Sequence, residues 1–282
     1  MSADMKDRTV LVTGANTGIG RAAAEELARR GARVVLACRS EEKTRPVVDA
    51  IRAAHGERAA DFLALDLADL ASVRDAAKAF LARGEPIHVL LNNAGLAGQR
   101  GATKDGFEVA FGVNHLGHFL WTLLLLDRLK ESAPARVVNV ASKNHQYAKG
   151  IDFDALRRPT RTIAGLPEYA VSKLANILFT QELARRLSGS GVTAYALHPG
   201  VVASDVWRHV PWPVRAILKR RMLSNEEGAR TSVYCASAPE LEGVSGRYYD
   251  KCAERAPHEA ATEALARELW ERSEAWVRPF LT

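Results

Sequence analysis

Seven short runs of apolar and β-branched residues recur along this chain, each separated from the next by helical character. They are Thr9–Val12, Arg33–Cys38, Asp61–Leu65, Ile87–Leu91, Arg136–Val140, Thr193–Leu197 and Arg247–Tyr249. The segments between them include Arg21–Arg30, Leu70–Leu81, Phe107–Lys130 and Tyr169–Leu187. Runs that are apolar throughout, rather than at alternate positions, predict strands covered on both faces, as in a parallel sheet with helices above and below. Gly31 after Arg29-Arg30, and Gly84 after Arg83, agree with helix C-termini at those points. The expected fold is therefore doubly wound α/β with a seven-stranded parallel sheet, and ligands belong at the carboxyl ends of its strands. No repeat or Pro/Ser/Gly-rich linker divides the 282 residues, so residues 1–282 read as a single domain.

Other classes fall away on composition. The chain is 47% hydrophobic and 26% charged, which excludes collagen, a coiled coil and a mostly disordered chain. Cys38, Cys235 and Cys252 lie far apart, in no metal or redox spacing, and no metal site is expected. So sparse and odd a set fits a reducing cytosol, and the expected location is cytoplasmic. Residues Met1–Arg8 are polar, so neither a signal peptide nor an N-terminal anchor is expected. The longest uncharged stretch, Val109–Leu126, is interrupted by Asn114, His115 and His118, and reads as a buried helix rather than a membrane span.

Directly after the first run comes Thr13-Gly14-Ala15-Asn16-Thr17-Gly18-Ile19-Gly20. Glycines between a strand and a helix let the backbone turn tightly and approach a pyrophosphate, which then sits on the helix N-terminus. Gly14, Asn16, Thr17, Gly18, Ile19 and Gly20 are thus candidate dinucleotide-binding residues, and the fold is of Rossmann type. At the end of the second run, where an NAD site usually places an acid for the ribose hydroxyls, stands Arg39, followed by Ser40. A guanidinium there pairs with a 2′-phosphate, so NADP(H) is expected over NAD(H). In the alternative, Arg39 is a surface residue and Glu41 or Glu42 takes the ribose.

Tyr169 and Lys173 stand four apart at the start of a strongly helical segment and share one face. A free phenol has a pKa near about 10. A nearby ammonium favours the phenolate and suits the pair to acid–base work. Packing of Tyr169 on the aliphatic stem of Lys173 is the plain alternative.

Thr13–Gly20, Asn92-Asn93-Ala94-Gly95, Asn114, Ser142, Tyr169-x-x-x-Lys173 and Pro199-Gly200 stand in the order and spacing of the short-chain dehydrogenases/reductases, a family this chain resembles over nearly its whole length. In detail it is most similar to the retinol-dehydrogenase-like branch, through Ala37-Cys38-Arg39, Val113-Asn114-His115-Leu116-Gly117-His118-Phe119, Gly228-Ala229-Arg230-Thr231 and Leu269-Trp270-Glu271-Arg272-Ser273-Glu274. The resemblance implies that Tyr169 exchanges a proton with the substrate oxygen. It also implies that Lys173 holds the nicotinamide ribose and that Ser142 hydrogen-bonds the reacting carbonyl. Asn114 would hold a water linking Lys173 to solvent; its alternative is a helix-kinking polar residue. Asp66, with Leu67 beside it, would contact adenine, and Asn93, Ala94 and Gly95 would line the adenosine ribose. Pro199, Gly200 and Val202 would cover the nicotinamide, with the Ser204 hydroxyl in reach of its carboxamide. Two departures stand out: Ala141 replaces a second serine common in the branch, and Ser204 stands where a threonine is common. Asn139, on a buried strand, is expected to be a structural hydrogen-bonder.

Two long segments leave strand ends and should border the substrate. Lys143–Glu168 separates Ser142 from Tyr169, and residues 201–225 follow the Pro-Gly turn. The second carries Trp207, Val210, Trp212, Val214, Ile217, Leu218, Met222 and Leu223, a set suited either to a lid over a lipophilic substrate or to ordinary helix packing. His145, Tyr147, His198 and His209 are not placed in the site. The formal charge of +6 is spread over helices with glutamates at helical spacing, which excludes a nucleic-acid groove reader, while Trp207 to Met222 leaves peripheral membrane contact open. Tyr169–Leu187 is apolar on more than one face, which permits a homodimer. The leading function is an NADP(H)-dependent oxidoreductase acting on a lipophilic carbonyl or alcohol. Its alternatives are a carbon–carbon double-bond reductase of the protochlorophyllide type and a non-catalytic NADP(H)-binding sensor.

Overall fold

The computed structural model describes residues 4–201 and 223–281. Seven parallel strands form the sheet: β1 (Thr9–Thr13), β2 (Arg33–Cys38), β3 (Ala60–Ala64), β4 (Val89–Asn92), β5 (Ala135–Val140), β6 (Val192–His198) and β7 (Arg247–Asp250). An eighth, β8 (Ala253–Arg255), corrects the expected count. It turns back after Lys251 and Cys252, both at positive φ, and pairs antiparallel with β7. The spatial order is β3-β2-β1-β4-β5-β6-β7-β8. Each apolar run has its strand, with ends displaced by a residue or two.

Alternate residues of each strand enter opposite cores, which is why the runs read as apolar throughout. In β1, Leu11 enters one core while Val10 and Val12 enter the other. In β2, Val35 and Ala37 join Leu11, and Val34, Leu36 and Cys38 join Val10. The second core lies under α1 (Gly18–Arg29), α2 (Glu41–His55) and α8 (Asn225–Ser237). The first lies under α3 (Leu70–Leu81), α7 (Leu166–Arg186) and α9 (Glu263–Val277), together with the helical stretch through Phe111 and Trp121.

That stretch departs from one continuous helix. It comprises α4 (Val109–Phe111), a π-helical turn (Gly112–Leu116), α5 (Gly117–Leu124) and α6 (Leu126–Glu131). Two glycines bring it close to its neighbours: a Cβ at Gly112 would lie 2.3 Å from Thr103 Cγ2, and one at Gly117 2.7 Å from the Leu67 carbonyl oxygen. The π turn centres on Asn114, whose side chain is tied to other elements.

The apolar residues that permitted a dimer through α7 are covered within the chain. Leu174, Ile177, Leu178, Phe179, Leu183 and Leu187 are all buried. Phe179 meets Phe119 at 5.3 Å and Trp270 of α9 at 5.9 Å between ring centroids. Arg186 lies over the Trp270 ring at 4.4 Å. No helix of the described residues is long and apolar enough to cross a membrane.

Trp270 is buried among these rings with its indole N–H unpartnered. Truncating a core Trp costs about 3–5 kcal/mol, so Trp270→Ala should lower the urea-unfolding free energy by that order. Trp270→Phe, which removes the orphan donor and keeps a ring, should cost much less in the same measurement.

Candidate active site

Because β1 pairs with β2 on one edge and β4 on the other, the chain leaves β1 and β4 in opposite directions and opens a crevice at their carboxyl ends. The glycine turn lies there. Gly14 and Gly18 hold positive φ, +67° and +59°. A Cβ on Gly14 would stand 2.9 Å from Ala94 Cα, and one on Gly20 2.3 Å from Asn93 Nδ2 and 2.5 Å from the Gly14 oxygen. Both positions must be glycine for the turn to seat against Asn93-Ala94. The first turn of α1 carries no carboxylate and no side-chain cap, which leaves the positive end of the helix suited to an anion. Buried Cys38 lies beneath, near the Gly14, Ala15 and Asn16 backbone, and burial pushes its thiol up.

At the end of β2, Arg39 is exposed and makes no hydrogen bond or ion pair among the described residues. Glu41, one of its competitors for the ribose, is paired with Arg45. Ser40 caps α2, accepting from the Lys43 amide at 3.4 Å. Asp66 accepts from the Ala68 amide at 3.0 Å, which shapes the turn after β3 beside Leu67. These residues fit a dinucleotide: glycines where a Cβ would clash, an open helix N-terminus, and a cation free for a further phosphate.

Asn93 is stitched to β1. Its amide and that of Ala94 each donate to Thr13 Oγ1 at 2.9 Å, and its Nδ2 donates to the Thr13 carbonyl at 2.9 Å. Gly95 follows, where a Cβ would lie 3.3 Å from Asn114 Oδ1 and 3.4 Å from Lys173 Nζ. Asn114, fully buried, donates to the Leu96 carbonyl (3.0 Å) and to Ser172 Oγ (2.9 Å) and accepts from the Leu96 amide (2.9 Å). Both side-chain donors are spent, and Oδ1 retains one acceptor site. Ser172 passes the chain on to the Tyr169 carbonyl at 2.7 Å.

Along α7, Tyr169 and Lys173 stand one above the other, with Nζ 5.7 Å from the phenol ring centroid. Ser142, the residue after the end of β5 and its neighbour Ala141, lies close enough to Tyr169 to act on its phenol. Lys173 donates to the Val140 carbonyl at 2.8 Å, which also receives Asn176 Nδ2 at 3.1 Å. Burial governs both titrating groups. It raises the Tyr169 phenol, with Ser142 pulling the other way, and lowers the Lys173 ammonium to about 7. The depression of the Tyr169 pKa expected from an adjacent ammonium does not emerge in this arrangement, where desolvation raises it and Ser142 alone opposes.

Pro199 and Gly200 follow β6, Gly200 at φ +89° with Leu223 packed against it. Val202, Ser204, Trp207, His209 and the rest of the expected lid up to Met222 lie outside the described residues. Asn139 is structural, as expected, accepting from Asn92 (2.8 Å) and donating to Thr180 (2.9 Å). No group of three metal-ligating residues occurs among the described residues.

Two histidines border the site: His145, which the sequence reading did not place there, and His118, to which it gave no role. His145 Nδ1 lies 2.6 Å from the Ser142 carbonyl, and its Nε2 accepts from the His258 amide at 3.1 Å. His118 bonds to the Asn114 carbonyl and to Thr13. The available signal for His118 was its position one turn after Asn114 in an otherwise apolar run.

A family model for short chain dehydrogenases matches residues 8–153. Human retinol dehydrogenase 11 is 48% identical over 274 residues, covering 94% of this chain and 84% of its own length. Human retinol dehydrogenase 13 is 46% identical over 281 residues, covering 96% and 85%. Among solved structures, an uncharacterized protein from Mycobacterium paratuberculosis matches with a TM-score of 0.78 at 34% identity, over 98% of this chain and 95% of that one. A gluconate 5-dehydrogenase from Beutenbergia cavernae with bound NADP has a TM-score of 0.70 at 27% identity, covering 89% and 97%. A 3-ketoacyl-(acyl-carrier-protein) reductase from Brucella melitensis with NADH has 0.68 at 25%, covering 87% and 97%.

Lys173 loses its proton near pH 7 in the folded chain, against an ordinary value of 10.5. Between those limits the unfolded chain holds a proton that the folded chain has shed, so stability rises with pH. Below them both states are protonated and this contribution is flat. Urea-unfolding free energies should therefore rise more steeply from about pH 7 to pH 10 in the wild type than in Lys173→Met; equal slopes would place the proton on folded Lys173 throughout.

Proposed function

The chain belongs to the short-chain dehydrogenase family, in its retinol-dehydrogenase-like branch, and from that premise we propose an oxidoreductase that moves a hydride between NADP(H) and a lipophilic carbonyl or alcohol. The observation that carries this reading is the convergence of Tyr169 on Ser142, with buried Lys173 one helical turn on and beside Gly95. NADP(H) is favoured over NAD(H) by Arg39, exposed and unengaged where a ribose-binding acid would otherwise stand, and by the capture of Glu41 by Arg45.

Four large apolar side chains support a lipophilic substrate. Tyr147 (79% exposed), Ile163 (89%), Leu166 (43%) and Val201 (54%) are the exposed large hydrophobics of the described residues. All four lie on the segments that leave β5 and β6 beside the site, and nowhere else. Exposed apolar side chains on these segments suit a surface that an apolar molecule covers. Names of the relatives agree with a retinoid-like aldehyde or alcohol.

In this reading Tyr169 gives its phenolic proton to the substrate oxygen, or removes one in the reverse direction, while Ser142 hydrogen-bonds the same oxygen. Bound NADPH would supply the hydride. Lys173 holds the nicotinamide ribose and favours the phenolate once paired there. Asn114, with both donors spent, holds the relay water as an acceptor. Gly14 to Gly20 cradle the pyrophosphate, Asp66 and Leu67 border adenine, Asn93 to Gly95 line the ribose, and Pro199, Gly200, Val202 and Ser204 cover the nicotinamide. Residues 1–282 act as one domain, with 201–225 as a lid. The three free cysteines suit a cytoplasmic setting.

Turnover of NADPH on a panel of retinoid, steroid and aliphatic aldehydes and ketones tests the reading. Tyr169→Phe should abolish turnover while NADPH still quenches intrinsic fluorescence; full activity would refute the assignment. NADPH binding without turnover in the wild type would favour a sensor instead.

Loss of a charge-assisted phosphate contact should raise the NADPH dissociation constant about tenfold to hundredfold in Arg39→Ala. The constant for NADH should hardly change, and equal losses for both would remove Arg39 from the site.

A further inference from the structure

The imidazole of His118, on α5 and 2% exposed, lies between two parts of the site and bonds to both. Nδ1 stands 3.0 Å from the Asn114 carbonyl oxygen, and Nε2 2.8 Å from Thr13 Oγ1. A carbonyl only accepts, so Nδ1 carries the proton. Burial, aided by the charge of Lys173, lowers the ring to about 4, so it is neutral and Nε2 is an acceptor. The Thr13 hydroxyl therefore donates to Nε2. Its longer approach to the Leu91 carbonyl, 3.5 Å, cannot share that one hydrogen equally. The Thr13 oxygen is then left to accept the Asn93 and Ala94 amides, both at 2.9 Å. Every donor in this network meets one acceptor, and only the Nδ1–H tautomer allows it.

The ring thus connects three things. One is the end of β1, where the glycine turn starts. The second is the Asn93-Ala94 turn, against which Gly14 and Gly20 pack. The third is the π-helical turn that aims Asn114 at Leu96 and Ser172. We propose that His118 is a positioning residue that fixes Asn114, and through Ser172 the Tyr169 helix, against the cofactor-binding turn. Its kinetic consequence rests on the function proposed above; its hydrogen-bond assignment does not. The two ring nitrogens have separable tasks: Nδ1–H orients the proton-relay side, and Nε2 orients the Thr13 hydroxyl that organises the cofactor side.

Two amide variants separate these tasks. His118→Asn places an N–H near the Nδ1 position, and His118→Gln places an oxygen acceptor near the Nε2 position. His118→Gln should lower kcat about tenfold with the NADPH dissociation constant near wild type. His118→Asn should do the reverse: a dissociation constant raised about tenfold, kcat within about threefold, and faster amide exchange at Asn93 and Ala94. Nitrogen-15 NMR of the wild-type ring at neutral pH should show the Nδ1–H tautomer. An Nε2–H tautomer, or equal losses of kcat and NADPH affinity in both variants, would reduce His118 to packing and overturn the proposal. A wild type that neither bound nor turned over NADPH would refute the proposed function instead. The tautomer and the exchange at Asn93 and Ala94 would then still decide the role of His118.

Discussion

The pairing of β1 on both edges with parallel strands is the constraint on which the molecule is built. It buries all five residues of the strand, sends the next stretches of chain apart, and leaves a crevice where backbone N–H groups face outward. A crevice between diverging loops would be ill-defined if the loops were free. Here the Thr13 hydroxyl, at the last residue of β1, closes it by accepting two amides from the turn after β4. The glycines follow as a consequence, because the turn after β4 comes too near for any Cβ at position 14 or 20.

On the other side of the crevice, burial has the larger say over charge. Lys173, Asn114, His118 and His145 are all withdrawn from water, and their polar atoms are answered by specific partners or by a neutral tautomer. The Val140 carbonyl shows the economy of this arrangement, since it receives both Lys173 and Asn176. An ammonium held at the edge of losing its proton is readily re-paired when a stronger acceptor comes near. A solvated lysine would have no such sensitivity.

Most of this architecture was legible in the sequence, because it rests on local signals. Strands buried on both faces give unbroken apolar runs, and the glycine turn and Tyr169-x-x-x-Lys173 each sit within a few consecutive residues. Features that depend on distant partners were not legible. β8 is three residues long and exists only because Lys251 and Cys252 turn the chain back on β7. The π turn at Asn114 is set by contacts with Leu96 and Ser172, on two other segments. His118 and His145 read as members of apolar or loop stretches, since nothing nearby in the chain marks what their ring nitrogens reach. Nothing within α7 signals that Trp270, some ninety residues later, packs against Phe179.

His145 carries that last point further. Its Nδ1 steadies the carbonyl of Ser142, while its Nε2 is held by an amide 113 residues later in the chain. During synthesis, which proceeds from the N-terminus, the glycine turn, Ser142, Tyr169 and Lys173 all emerge well before His258. A nascent or prematurely ended chain would thus contain every reacting group and still lack the tie that steadies one of them. Completion of the active centre therefore waits until the chain beyond β8 has been made, and proteolytic loss of His258 would remove the tie without touching a catalytic side chain.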